Sequence, residues 1–197
     1  MALTQQEILR SALVLLDEHG LAALTMRRLA ASLGIQAGAL YWHVANKHAL
    51  LVALADEILD GIEAGLPMGD WDTRINELAH RLRAALLAHR DGAQLVATAY
   101  PPRTGRSTTM ALMAGVLTDA GFTPAESQLA ALTLLHYVLG NTADEQSAVP
   151  EVLGADPDGA GALAATSAPA PHELAGATAR FGFGLSVFVD GLRARHV

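Results

Sequence analysis

A chain of 197 residues that is 51% hydrophobic and 17% charged can bury a substantial core, which excludes a disordered polymer. It has no Cys, so disulfides, thiolate zinc sites and cysteine nucleophiles are excluded and a reducing, cytoplasmic location is expected. The formal charge is -7, yet three of the four Lys and Arg in the first 64 positions, Arg27, Arg28 and Lys47, fall within residues 24–51.

Abundant Ala and Leu, few aromatics and few alternating runs predict an all-α protein. The opening MALTQQEILR lacks a basic n-region followed by an apolar run, and no apolar stretch reaches about 18 residues, so neither a leader nor a membrane span is expected. Thr4-Gln5-Gln6-Glu7 reads as a capping box, Ile8, Leu9, Ala12, Leu13, Leu15 and Leu16 as one apolar helix face, and Gly20 as the stop. Thr25 caps a short helix that Gly34 ends, and a second short helix over 37–43 begins only two residues later. Two short helices around a Gly-containing turn are the pattern of a helix-turn-helix. Asn46 then caps a longer helix predicted to run to about Gly65.

Beyond Pro67 a second, larger helical region begins. Helices are predicted over 72–89, briefly before the double Pro at 101–102, over 107–120, and from a Thr123-Pro124-Ala125-Glu126 capping box to about Gln146. Residues 148–171, rich in Ala, Gly and Pro without a period, read as a mobile loop. A last helix, starting at Glu173 or Arg180, carries Phe181, Leu185, Phe188 and Leu192 at i, i+4, i+7 and i+11. Together with Leu129 and Leu132 this stripe is the expected dimer interface, as half of a four-helix bundle.

A recognition helix places its N-terminal residues against base edges while nearby cations and N–H groups hold phosphates. Ala37, Gly38 and Ala39 are small enough for close approach but bring little hydrogen-bonding capacity, so base reading is assigned to Arg27, with Gln36 as a second polar candidate. Tyr41 and His43 are donors for phosphates, and Lys47 sits at a helix N-terminus that already favours an anion. Residues 1–50 sum to +1 and the remainder to -8. From spacing alone a bland reading stays open, in which Arg27, Arg28 and Lys47 are solvated charges and Tyr41 and Trp42 are half-buried aromatics.

Residues 8–60, and in particular LYWHVANKHALLVALADEILD, resemble the N-terminal domain of the tetracycline repressor (TetR) family. The resemblance continues in order through ALLAHRDGA at 85–93, LLHYVLG at 134–140 and FGFGLSVFVDGL at 181–192. It implies a DNA-binding head (1–46), a linker helix (47–66) and a ligand-binding and dimerisation region (67–197). The implied function is a homodimeric repressor that binds a palindromic double-stranded DNA operator and is released by a small-molecule effector, with no cofactor. An activator within the same family is the nearer alternative. Carried onto this chain, the base-reading arginine falls on Arg27 and phosphate contacts on Thr25, Tyr41 and Lys47.

The resemblance places drug-contacting positions at Glu63, Leu78, Val96, Ala99, Tyr100, Met113 and His136, and an acidic metal-side position at Asp144. Most of the tetracycline type's polar and metal-binding side chains are replaced there by apolar ones, so tetracycline–magnesium is not the expected effector. A hydrophobic or aromatic compound among Leu78, Leu82, Met110, Met113, Leu117, Leu135 and His136 is, against the bland reading that Leu and Met at helical spacing are core. Two rivals remain: a helical enzyme, and a dimerisation module with no DNA function. The chain has eight His, but none pairs at zincin spacing, and no Gly-rich phosphate loop or Gly-x-Ser-x-Gly elbow occurs. His80, His89 and His172 read as surface or hydrogen-bonded structural groups.

Overall fold

The computed structural model describes residues 3–100, 108–147 and 176–196, and every regular element among them is helical. The chain opens with α1 (Gln5–His19), whose capping box forms as the sequence predicts. Glu7 N–H donates to Thr4 Oγ1 at 3.2 Å, and Thr4 N–H donates back to the Glu7 carboxylate at 2.7 Å. These bonds hold the Glu7 carboxyl below the usual carboxylate range. After a 3₁₀ turn over Leu21–Ala23 come α2 (Met26–Ser32), α3 (Ala37–Leu40) and α4 (Lys47–Leu59). Ile8, Ala12, Leu16, Leu24, Leu29, Leu40, Leu50 and Leu54 are fully buried between them and make a small head core.

The larger region consists of α5 (Trp71–Leu87), α6 (Gly92–Ala99), α7 (Thr108–Asp119), α8 (Pro124–Ser147) and α9 (Ala177–Arg193). The central helix is α8, which packs on α5, α6, α7 and α9, while α4 packs on both α1 and α6 and so belongs to the head and the core at once. Polar ties fix this arrangement. Arg83 on α5 makes a forked pair with Glu145 on α8, at 2.7 and 3.1 Å, and lies 5.1 Å from the ring centroid of Phe181 on α9. Arg193 near the end of α9 pairs with Asp72 at the start of α5 and holds that carboxyl below its usual range.

Two helices end three or more residues short of their predicted ends. The linker helix α4 ends at Leu59, short of Gly65. The chain turns at Gly61 and Gly65, with φ of +72° and +64°, and the guanidinium of Arg81 takes the carbonyls of Ile62, Ala64 and Gly65 that a continuing helix would have used. The recognition helix α3 covers only Ala37–Leu40, and residues 41–43 continue as a tight turn in which His43 N–H donates to the Leu40 carbonyl at 3.0 Å. The double Pro at 101–102, the expected loop at 148–171 and His172 lie outside the described residues.

Candidate nucleic-acid interface and effector cavity

The head presents the sequence-predicted residues because its core holds the segment behind them. Thr25 caps α2 by accepting the Arg28 N–H at 3.2 Å, which leaves Arg27 and Arg28 exposed on the first turn. Gly34, at φ +66°, makes the turn into α3, and Leu40 and Val44 are buried to anchor the recognition segment from beneath. Of the predicted set, Thr25, Arg27, Arg28, Gln36, Gly38, Ala39, Tyr41, Trp42, His43 and Lys47 are exposed and Ala37 is half-buried. Trp42 is 91% exposed and Tyr41 51%, so the bland reading of both as half-buried aromatics does not hold for Trp42. An indole this exposed is uncompensated apolar surface, the kind a macromolecular partner covers. Lys47 opens α4, directly after Asn46, which caps the helix by accepting the Ala49 N–H at 2.9 Å.

In the core, a cavity of about 490 Å³ lies between α6 and α8. Tyr100, Leu135 and His136 from the predicted ligand set line it, with Gln94, Ala97 and Gly140. A smaller cavity of about 290 Å³ is lined by Glu63, Tyr100, Asp56 and Asp60. Tyr100 therefore borders both, and its hydroxyl donates to Asp56 on α4. Burial, and then the hydrogen bond to that carboxylate, push the phenol well above its ordinary pKa.

The other predicted ligand residues are placed differently. Leu78, Leu82, Val96, Met113 and Leu117 are buried in the packed core, Met110 is half-buried against it, and none of the six lines either cavity. With no polar group among them, these side chains close on one another instead of walling a space. Ala99 is likewise buried, and Asp144 is exposed and lines neither cavity.

The expected dimer stripe is largely occupied within the protomer. Phe181 and Leu185 are fully buried within their own protomer. Phe181 stacks on Tyr137 at 5.5 Å and meets the edge of His80 at 5.3 Å, while Phe188 and Leu192 are half-buried against the same core. Gly184 serves this internal contact, since a Cβ there would run into the Tyr137 ring. On α8 and α9 the large apolar side chains left uncovered are Phe183, Val187 and Leu129, at 73%, 56% and 66% exposure, with Leu132 half-buried on α8. α9 thus carries apolar side chains on two faces, one packed inside the protomer through Phe181, Leu185 and Val189 and one exposed at Phe183 and Val187.

Sequence reasoning missed Asp17, Arg90, Asp91 and Gln146. His89, read as a hydrogen-bonded structural group, lies with its Nδ1 3.1 Å from Asp17.

Known proteins agree with this layout. The family described as bacterial regulatory proteins, tetR family, matches residues 8–54, and that described as tetracyclin repressor-like, C-terminal domain, matches residues 63–196. Tetracycline repressor protein class A from transposon 1721 of Escherichia coli is 36% identical over 204 residues, covering 96% of this chain and 90% of that protein. Among solved structures, BioQ with its natural double-stranded DNA operator is 36% identical with a TM-score of 0.75, covering 97% of this chain and 98% of that one. A single-residue variant of TetR from Acinetobacter baumannii AYE, in complex with minocycline, is 33% identical with a TM-score of 0.75, covering 100% of this chain and 99% of that one.

Proposed function

The chain belongs to the TetR family of bacterial regulatory proteins, a family of non-enzymatic, DNA-binding transcriptional repressors, and from that premise we propose how its own residues do the work. Membership removes the helical-enzyme reading, and with it the module that has no DNA function. Two copies join through the uncovered face of α8 and α9, and each places its recognition segment in a major groove of one palindromic operator. Arg27 reads a base edge, Gln36 assists, and Thr25, Tyr41, His43 and Lys47 position the phosphates.

A hydrophobic or aromatic effector with a polar edge enters the α6–α8 cavity, where Leu135 and Ala97 offer apolar wall and His136 and Gln94 offer hydrogen bonds. The observation that carries this reading is Tyr100: one side chain lines the cavity and hydrogen-bonds α4, the helix whose first residue is Lys47. Occupancy that displaces Tyr100 therefore moves the DNA-reading head. A shift of about 100-fold in operator affinity requires about 2.7 kcal/mol of differential binding between the two states.

The test is selection of bound sequences from a random duplex pool, followed by a screen of aromatic compounds for release of the selected duplex. A palindromic consensus and at least one releasing compound whose effect is lost in His136→Ala are expected. A pool that never enriches would sink the DNA reading. A releasing compound that acts equally on His136→Ala and on a cavity-filling Ala97→Phe would sink the cavity assignment.

A further inference from the structure

We propose that the turn between α5 and α6 is a bearing that fixes the angle of the DNA-reading head, and that Asp17, Asp91 and Gln146 are positioning residues for the spacing between operator half-sites. The proposal rests on the dimeric DNA-binding reading above.

The head touches the core where α4 packs on α6 and α5, and again where the end of α1 meets the α5–α6 turn. Apolar packing along α4 alone leaves freedom to rock, because helices packed on one another can slide and tilt about their contact lines. The second contact removes that freedom, and it is made of directional hydrogen bonds. Asp17 accepts the Arg90 backbone N–H at 3.1 Å, and its two oxygens lie 3.2 and 3.1 Å from His89 Nδ1. The Arg90 guanidinium donates to the Glu18 carbonyl at 3.2 Å, and Asp91 accepts the Leu21 N–H at 2.8 Å. Each of these bonds joins residues 70 or more positions apart in the sequence.

The fit leaves no slack. A Cβ on Gly20 would lie 2.8 Å from an Asp91 oxygen, and a Cβ on Gly92 would overlap the Leu86 carbonyl oxygen. Asp91 itself holds a left-handed backbone, φ +55°, the only described non-Gly residue to do so. Its carboxylate makes the bond to Leu21, which a glycine, the residue that fits this conformation most easily, would not supply.

The turn is held from behind as well. Gln146 on α8 donates to the carbonyls of Leu86 and His89 at 2.9 and 2.7 Å and accepts the Ala93 N–H at 3.1 Å, tying the residues before the turn to those after it. Asp91, Ala93 and Gln146 also line the α6–α8 cavity. A continuous set of hydrogen-bonded groups thus runs from the cavity wall through the turn to the end of α1. In a dimer each head is set at a defined angle, and the two recognition segments meet the duplex at one separation, which must match successive major grooves.

The experiment uses the full-length protein and a duplex library in which the selected half-sites are held constant and the central spacer varies in length. Wild type should favour one spacer about tenfold over its neighbours. Asp91→Gly, Asp17→Ala and Gln146→Ala should flatten that preference to within about threefold while keeping the same base preference inside each half-site, and Asp17→Asn, which retains the acceptor for Arg90, should restore it. A merely structural role would lower affinity for all spacers alike, and that result overturns the proposal. In the wild-type protein the Leu21 and Arg90 amides should exchange slowly with deuterium, so fast exchange overturns it without any variant. A wild type with no spacer preference also overturns it, whereas a wild type that enriches no duplex at all overturns the DNA-binding reading and this proposal together.

Discussion

The head and the core solve opposite problems with the same helices. The head makes a small, dry core so that polar and aromatic side chains such as Arg27, Tyr41 and Trp42 face outward, and its working surface is a single short stretch of sequence. The core's cavity is a cleft between α6 and α8, assembled from residues some 40 positions apart, such as Ala97 and His136. A function displayed on one continuous segment tolerates errors in packing elsewhere. A cleft between helices depends on every neighbour that decides whether a space stays open.

The largest effect expected from breaking this comparison lies where two copies meet. Phe183→Asp places a charge on the uncovered α9 face, and sedimentation should show a monomer at micromolar concentration. Operator affinity should fall by about 10²–10⁴-fold, because two half-sites are then no longer bound by one linked pair of heads. A dimer that persists would relocate the interface.

Next in size is the contrast between packed and open positions in the core. Leu82→Ala should lower unfolding stability by about 2–5 kcal/mol, whereas His136→Ala, at an exposed cavity position, should stay within about 0.5 kcal/mol of wild type in a denaturant titration. Equal losses would mean that the two regions of α5 and α8 are packed alike.

Within the head, Arg27→Ala should remove about 1–3 kcal/mol of discrimination at one base pair of each half-site. Lys47→Ala should weaken all duplexes uniformly and reduce the slope of log affinity against log salt by about one. Indistinguishable profiles for the two variants would erase the division between reading and positioning.

The smallest effect is a surface ion pair. Arg193 holds the Asp72 carboxyl below its unfolded value, so its contribution is present above the unfolded pKa and fades as pH falls through the folded one. Asp72→Asn should therefore reduce stability by no more than about 1 kcal/mol at neutral pH, and the difference should vanish in acid. A thermal melt series that shows the same gap at both ends would rule out the ion pair as its source.

What the sequence made legible follows the same division. Capping boxes at Thr4 and Thr123 and the turn at Gly34 are local chemistry, so the helix starts there fell within a residue of their observed places, whereas α9, with no side-chain cap, starts at Ala177, between the two expected positions. The recognition segment is contiguous, so its exposed residues could be named directly. The end of α4 was not legible, because it depends on Arg81 reaching back from α5 to collect its carbonyls. Nor was the difference between Leu135, which lines a cavity, and Leu82, which does not, since both are apolar residues at helical spacing. On α9 two apolar faces overlapped in one string, and only packing against Tyr137 shows which of them is already taken.

The chain's two tryptophans have opposite surroundings. Trp42 stands in solvent on the DNA-reading segment, while Trp71 is tucked edge-on against Phe122 at 5.3 Å and near His196 at 6.4 Å, where the end of α9 meets the start of α5. The molecule thus carries two optical probes that need no label. Under the proposed reading, emission from Trp42 should change on arrival of the duplex and emission from Trp71 on loosening of the far end of the core, so Trp42→Phe and Trp71→Phe proteins would give separate clocks for binding and for melting.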